Sequence, residues 1–418
     1  MREIINSILA LLIGVVFLSM GNTLLNIILP LKMEAAGYST ASYGFLGSVF
    51  FAGLLSGALS AKRFIQGVGH IRAFAAFATV FSAVVILHPL FTAYSFWILL
   101  RFIGGFCIAG LFAAIEAWLN QQSSAENRGK VLAIYFMSNY MAMIMGQFLV
   151  NIWDIEQLEP YLLASLLVSF SLLPVVMTRF PQPSFSDAKP MSLVALARFS
   201  PLAVAGSLTA GFLQGALYSL GALYATALGY SLLQTSFFMG AVFAGALLAQ
   251  YPIGYLADKF DRRSILLLVL VTTIVAAFLL TFQSRVAPSF VLTLVLVTVF
   301  GGFISSIYPI SLAQVFDYLE SDRYVAASSG LLVVYSLGAM LGPLLTGPAM
   351  SLFGYSSLFL LSFFVACGLT AFTLLRMRRR ESLPNEEQEV VVPVMPEAAT
   401  VYTDLDPRVD EEELDEAG

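Results

Sequence analysis

The sequence predicts an all-α membrane protein of twelve transmembrane helices in two pseudo-symmetric six-helix bundles, and three observations predict it. The 418 residues are 59% hydrophobic and only 11% charged, with a mean hydropathy of +0.85; a soluble domain carries about 25% charged residues. Apolar runs long enough to cross a bilayer, about 20 residues each, recur twelve times along the chain. Residue patterns of the first half return in the second at an offset of 197. The charge deficit excludes an ordinary cytosolic enzyme, a nucleic-acid-binding protein and a disordered scaffold. Two cysteines are too few for a disulfide-stapled secreted fold.

Taken in order, span one covers 8–30, an unbroken apolar run behind Arg2. Its length, and the lack of a small-residue cleavage site, favour an uncleaved span over a signal peptide. Spans two (44–61) and three (71–89) flank Lys62, Arg63 and Arg72, and span four (95–118) carries Arg101 and Glu116, the two fully charged residues inside spans. Spans five (130–150) and six (161–178) complete the first bundle. A polar stretch with Pro181, Pro183, Lys189 and Pro190 follows. The second bundle reads as 201–224, 235–257, 264–282, 288–312, 323–346 and 354–375. Continuous apolar runs without period-two alternation call for helices and not a barrel. The domains expected are thus a bundle over 1–179, a cytoplasmic linker over 180–200, a bundle over 201–376 and a disordered tail over 377–418. Residues 381–418 hold 13 acids against Arg408 alone, so the net charge of −5 averages an acidic tail with a basic body. Such a tail buries too little apolar surface to fold by itself.

Orientation follows from the basic residues, which favour the cytoplasmic side. Of 21, eighteen fall on the side of the termini, Lys32 and Arg285 fall on the other, and Arg101 lies within a span. Both termini are expected in the cytoplasm, with the lipid bilayer of a bacterial inner membrane as surroundings.

The internal repeat supports the two bundles. Gly57, Leu59 and Lys62 recur as Gly254, Leu256 and Lys259, and Gly104-Gly105 recurs as Gly301-Gly302. The segment Gly254-Tyr-Leu-Ala-Asp258-Lys259-Phe-Asp-Arg262-Arg263 between spans eight and nine resembles the loop signature of the major facilitator superfamily. Its first-half counterpart has Ala61 at the acidic position but keeps Lys62, Gly69 and Arg72. Arg101-Phe-Ile-Gly-Gly105 resembles the fourth-helix motif of the family, with Gly104 where many members have glutamine. The run from Arg101 to Val150, with Glu116-Ala-Trp and Asn127-Arg128-Gly129-Lys130, is most similar to the YcaD-like branch of bacterial permeases. The resemblance implies a transporter fold in which spans one, four, seven and ten face a central pathway. The antiporter-type Gly-Pro belongs in span five, where this chain has Gly146-Gln147, which counts against a drug–proton antiporter.

Charge within the apolar core costs roughly 2.5–3.5 kcal/mol on insertion scales, so Arg101 and Glu116 call for an explanation. Arg101 reads as an anion clamp or a participant in proton coupling, or else as a structural arginine. Glu116 reads as a gate or coupling group pairing with Arg72 or Arg128, or as an ordinary ion pair. In the second half, a tight turn at Gly254 would let Asp258 face the start of span eleven while Arg262 and Arg263 hold carboxylates, a gate made in one conformation and broken in the other. Asn22 and Asn26 share a face of span one, as Gln214 and Tyr218 share a face of span seven. These pairs line the pathway or bond neighbouring helices. Asn139, Tyr140 and Tyr308 are further cavity candidates. Gly53/Gly57 and Gly338/Gly342 read as close helix contacts. His70 is expected in a cytoplasmic loop and His88 at the outer end of span three, neither with metal-ligand neighbours; Cys107 and Cys367 read as packing residues.

No phosphate-cradling Walker sequence occurs, so ATP drive is not expected, and neither a cofactor, a metal nor nucleic acid is called for. The function expected is a secondary active transporter, not an enzyme, and a monomer. It would move a small organic solute, amphipathic or anionic, by alternating access with protons as coupling ion, efflux being slightly favoured. The alternative is a non-transporting membrane sensor or scaffold acting through the acidic tail.

Overall fold

A computed structural model describes residues 2–122, 128–177, 191–286, 289–320 and 323–379, the side chains of 2–8, 62, 120–122, 128–129 and 284–286 excepted. The acidic tail from residue 380 and the first part of the expected linker lie outside the described residues. Thirteen α-helices follow in order: α1 (Arg2–Ala35), α2 (Thr40–Val68), α3 (His70–Leu90), α4 (Tyr94–Gln122), α5 (Arg128–Leu149), α6 (Glu159–Met177), α7 (Leu193–Phe199), α8 (Pro201–Ala227), α9 (Leu232–Lys259), α10 (Arg262–Val286), α11 (Phe290–Phe316), α12 (Tyr324–Phe353) and α13 (Ser357–Arg379). Eleven are long and apolar enough to cross a membrane, and α7 with α8, bent by 120° at their junction, gives a twelfth when the pair is counted as one broken span. Helices satisfy every backbone group within the segment, as lipid requires.

The chain turns sharply at each end. Ser39 caps α2 by accepting from the Ser42 amide, and Ser231 forms a capping box with Gln234 at the start of α9. Gly69 makes a one-residue turn: at φ 86° its N–H returns to the Ile65 carbonyl while α3 begins at the next residue. That turn corrects one expectation. His70 is no loop residue; it opens α3, is buried, and lies 5.9 Å from the Trp118 ring.

Apolar side chains gain little by leaving lipid for each other, so helix association rests on close packing. α2 crosses α4 where a Cβ on Gly53 would lie 2.0 Å from the Phe102 carbonyl oxygen, and α12 crosses α8 where one on Gly338 would lie 2.1 Å from that of Leu208. Only glycine permits these approaches, as the spacing of Gly53/Gly57 and Gly338/Gly342 indicates. The repeat is visible in three dimensions as well: Gly105 of α4 meets the backbone of Phe50 on α2, and Gly302 of α11 meets that of Gly245 on α9.

The described part of the expected linker carries structure of its own. Leu193–Phe199 is a helix, capped by Ser192 and ended at Ser200-Pro201. Leu196 is buried, and the Met191 amide donates to the Ala326 carbonyl, so this stretch docks on α8 and α12 instead of hanging free. A seven-residue helix with one buried leucine is too short to stand out from polar flanks in sequence.

Candidate functional site

α1 to α6 pack among themselves, as do α7 to α13, and the two sets meet along α2 with α12 and α5 with α9. Between them lies a cavity of about 1060 Å³, counting the part open to solvent, lined from α1, α2, α4, α5, α8 and α9. α11, the tenth span, contributes no lining residue. The expectation for spans one, four, seven and ten therefore holds for three of the four, with α2, α5 and α9 added.

The polar side of the cavity is built at helical spacing. Ser19, Asn22, Thr23 and Asn26 of α1 face Asn139, Met143 and Gln147 of α5. The Ser19 hydroxyl donates to Asn139 Oδ1, and Asn26 donates to Asn22 at 3.3 Å. Arg101 of α4 reaches across, its Nη1 donating to Asn26 Oδ1 at 2.8 Å, while its guanidinium carbon sits 4.5 Å from the centre of the Phe50 ring. Arg101 Nε and Gln147 Oε1 have no hydrogen-bond partner although both side chains are buried. Aromatic rings complete the lining, with Phe50, Phe51, Phe112 and Phe243, the last 5.3 Å from the Tyr218 ring. No carboxylate lines the cavity among the described residues.

Of the residues singled out by sequence, Asn22, Asn26, Arg101 and Tyr218 line this cavity, as does Asn139. Gln214 and Tyr308 do not. Gln214 is buried in the α8–α11–α12 seam, donating to the Ile304 carbonyl at 3.3 Å and accepting from the Tyr335 hydroxyl at 3.0 Å. Tyr308 is buried edge-on against Tyr335, 5.3 Å between centroids. One turn separates Gln214 from Tyr218, and within that turn α8 passes from helix seam to cavity wall. Tyr140 accepts from Gln250 of α9 at 3.4 Å, where the halves meet. Sequence reading missed Gln147 as a lining residue; the signal was present, because Asn139, Met143 and Gln147 repeat every four residues in an otherwise apolar span.

One end of the cavity is closed by contacts between the halves. Thr40 of α2 donates to the Gly347 carbonyl of α12 at 2.9 Å, and Ser48 donates to that of Met340 at 2.8 Å. Here backbones almost touch: a Cβ on Gly44 would lie 2.2 Å from the Pro343 carbonyl oxygen. On the other seam Asn151 donates to Ser236 at 2.8 Å and Phe148 meets Phe237 edge-on at 4.9 Å. At the same end Glu34, unremarked in the sequence, accepts from Thr226 of α8 at 2.8 Å and from Tyr355 between α12 and α13. Burial, with Glu34 beside it, raises the Tyr355 phenol above its ordinary value, which keeps it a donor.

The remaining candidates sit at the opposite end. Glu116 is fully buried and accepts from Tyr135 of α5 at 3.2 Å. Arg72 is on the exposed side of α3, and the Arg128 side chain lies outside the described residues. Gly254 makes no turn; it lies within α9, which runs on to Lys259, because the break falls at Phe260-Asp261. Asp258 is exposed on the last turn of α9, and the Lys259 ammonium is 5.8 Å from the Tyr255 ring. Arg262 forms a buried ion pair with Asp317 at 2.7 Å, and Arg263 donates to the Tyr318 hydroxyl at 2.8 Å. Both contacts tie α10 to the end of α11 within the second half.

Comparison with known proteins agrees with this geometry. A family model described as Major Facilitator Superfamily matches residues 11–246 and 202–405. The chain is 27% identical over 380 residues to an "Uncharacterized MFS-type transporter YcaD" of Salmonella enteritidis PT4, covering 90% of this chain and 97% of the relative. It is 28% identical over 356 residues to the protein of the same description from Escherichia coli O7:K1, covering 85% and 91%. Among solved structures, the nucleoside transporter NupG superposes with a TM-score of 0.74 at 13% identity, covering 91% of this chain and 100% of that one. An inward-facing bacterial homolog of the human lysosomal transporter Spinster gives 0.73 at 15%, covering 93% and 98%.

Proposed function

The chain belongs to the major facilitator superfamily, and from that premise we propose that this membrane transporter moves a small organic solute across a bacterial inner membrane by alternating access, coupled to protons. Both termini are placed in the cytoplasm by the distribution of basic residues, and efflux is preferred over uptake on family likeness. The protein acts as a monomer.

The observation that carries the reading is a cavity between two helix sets, lined by polar and aromatic side chains, with contacts between the sets at one end. Such contacts are broken when the sets rock apart, so the same cavity meets each face of the membrane in turn. Asn22, Asn26, Arg101 and Tyr218 serve as solute contacts. With no carboxylate in the cavity wall among the described residues, the proton is carried by carboxylates beyond it: Glu116 between α4 and α5, and Glu34 at the closed end. Arg262 and Arg263 hold the end of α11 while Asp258 and Lys259 act in the gate opposite the closed end.

Counterflow in proteoliposomes, over a panel of metabolites and drugs with and without a pH gradient, tests the proposal. Solute exchange that accelerates net movement down the proton gradient is expected. Robust exchange that ignores the gradient overturns the coupling, and a silent panel together with intact ligand binding overturns transport itself.

A further inference from the structure

Arg101 is a cation without a counter-charge among the described residues. It is 9% exposed, its one hydrogen-bond acceptor is the neutral Asn26, its Nε is orphaned, and the ring of Phe50 supplies the remaining contact. A buried charge is ordinarily paired or hydrogen-bonded through its donors, and an arginine offers five of them in a planar fork that matches a carboxylate in a bidentate manner. Among the described residues the cavity wall provides no acid to fill that fork, so the fork is left to whatever enters. A second orphan lies on the same wall: Gln147 Oε1, on a side chain 2% exposed, has no partner either. The same cavity is lined by Phe50, against which Arg101 rests, and by Phe112, Tyr218 and Phe243, which present flat apolar surface.

Resting on the transporter reading above, the geometry points to an organic anion as the solute: a carboxylate or equivalent oxyanion held by Arg101, a hydrogen-bonding group met by Gln147, and a flat apolar body against the aromatic wall. An amine is disfavoured twice, because it meets Arg101 as a like charge and finds no carboxylate. A neutral amide of the same shape fills the aromatic wall but leaves the guanidinium unneutralised. Charge at one end of the solute therefore sets selectivity, and aromatic area sets affinity.

The test is thermal stabilisation of the purified full-length protein by aromatic carboxylates of one to three rings, each set beside its carboxamide and its amine isostere. We expect carboxylates to bind at least ten-fold more tightly than their amides, and amines to give no shift. Arg101→Gln should abolish the preference for carboxylate over amide, whereas Gln147→Leu should weaken carboxylate and amide alike and keep their ratio. Should Arg101→Gln fail to fold, the Gln147→Leu ratio and the wild-type panel still decide. Chloride in excess serves as competitor, and stabilisation by chloride alone, with no further shift from any carboxylate, overturns the inference. So does an amide or amine that matches its carboxylate, a panel without a binder, or an Arg101→Gln protein that retains the preference. A carboxylate that binds selectively but never crosses the membrane in proteoliposomes refutes transport and leaves the anion site standing.

Discussion

Replacing Gly44 with alanine separates a contact that holds one conformation from a contact that holds the fold. The added methyl would sit 2.2 Å from the Pro343 carbonyl oxygen and 2.9 Å from the Gly347 Cα, so α2 and α12 must part where they close the cavity end. Overpacking of this kind costs about 1–3 kcal/mol. Because the strain exists only when the two halves meet, it moves the conformational equilibrium instead of unfolding the protein. At RT near 0.59 kcal/mol, that cost is a shift of roughly 5- to 150-fold toward the state open at this end. Gly53→Ala is the control. Its methyl would lie 2.0 Å from the Phe102 carbonyl oxygen, a clash just as severe, but between α2 and α4 of the same half. That strain is present in both states, so Gly53→Ala should lower the melting temperature and leave the equilibrium in place. The assay is thiol labelling at Ala222→Cys, a cavity position on α8, in a background lacking Cys107 and Cys367. An impermeant maleimide applied from the closed side should label the Gly44→Ala protein at least five-fold faster. Equal labelling of Gly44→Ala and its parent, or an equal rise in Gly53→Ala, refutes the assignment of this seam as the moving contact.

Three further outcomes are expected. Arg262→Met should destabilise the protein by about 3–5 kcal/mol, because Asp317 is left charged and buried; adding Asp317→Leu should recover much of the loss, read as melting temperature in detergent. Gln214→Leu removes the amide that the Tyr335 hydroxyl and the Ile304 carbonyl share, costing about 0.5–1.5 kcal/mol of stability for each hydrogen bond lost, yet should leave KM for transport unchanged, whereas Asn22→Ala should raise KM with little change in melting temperature. Glu34→Gln keeps the shape of the Thr226 contact but removes its charge, and hydrogen bonds to charged groups are worth about 1.5–3 kcal/mol; less is expected for a half-buried carboxylate, so labelling at Ala222→Cys should rise by no more than Gly44→Ala raises it.

The fold was legible because its determinants are long: twelve apolar runs and an offset of 197 survive any local ambiguity. Asn22, Asn26 and Arg101 were legible for a related reason, since a polar group in an apolar span announces itself. What sequence did not reveal is which neighbour each polar group meets. Gln214 and Asn26 look alike in sequence, each an amide on a pathway helix, but one is sealed in a three-helix seam and the other faces open space. Gly254 shows a related limit. In the string it precedes an acidic and basic cluster and reads as a turn, but α9 continues through it to Lys259 because nothing before Phe260 stops the helix. Glu34 was passed over because it stands at the edge of a span beside Lys32, where a charge needs no explanation. Only the approach of Thr226 and Tyr355 from the other half gives it one.

The two seams between the halves are related by the repeat but built differently, and the difference bears on which of them moves first. The offset of 197 carries Gly44 to Ala241, beside Gly240, so the α5–α9 seam has its small residue where the α2–α12 seam does. On the facing helix the match fails. α12 presents Gly347, whose own Cβ would lie 2.6 Å from the Thr40 carbonyl oxygen, whereas α5 presents Phe148, whose ring lies 3.4 Å from a Cβ placed on Gly240. At Gly44 and Gly347 the α2–α12 contact is thus backbone against backbone, flanked by the Thr40 and Ser48 hydrogen bonds, and the helices must part for it to open. The α5–α9 contact at Gly240 is a ring on a glycine, beside the Asn151–Ser236 hydrogen bond and the Phe148–Phe237 pair, so its packing is made by side chains that can rotate. That difference predicts opening that begins at α5–α9: Phe148→Ala should speed labelling at Ala222→Cys while Gly240→Ala, which meets the ring at ordinary contact distance, should not.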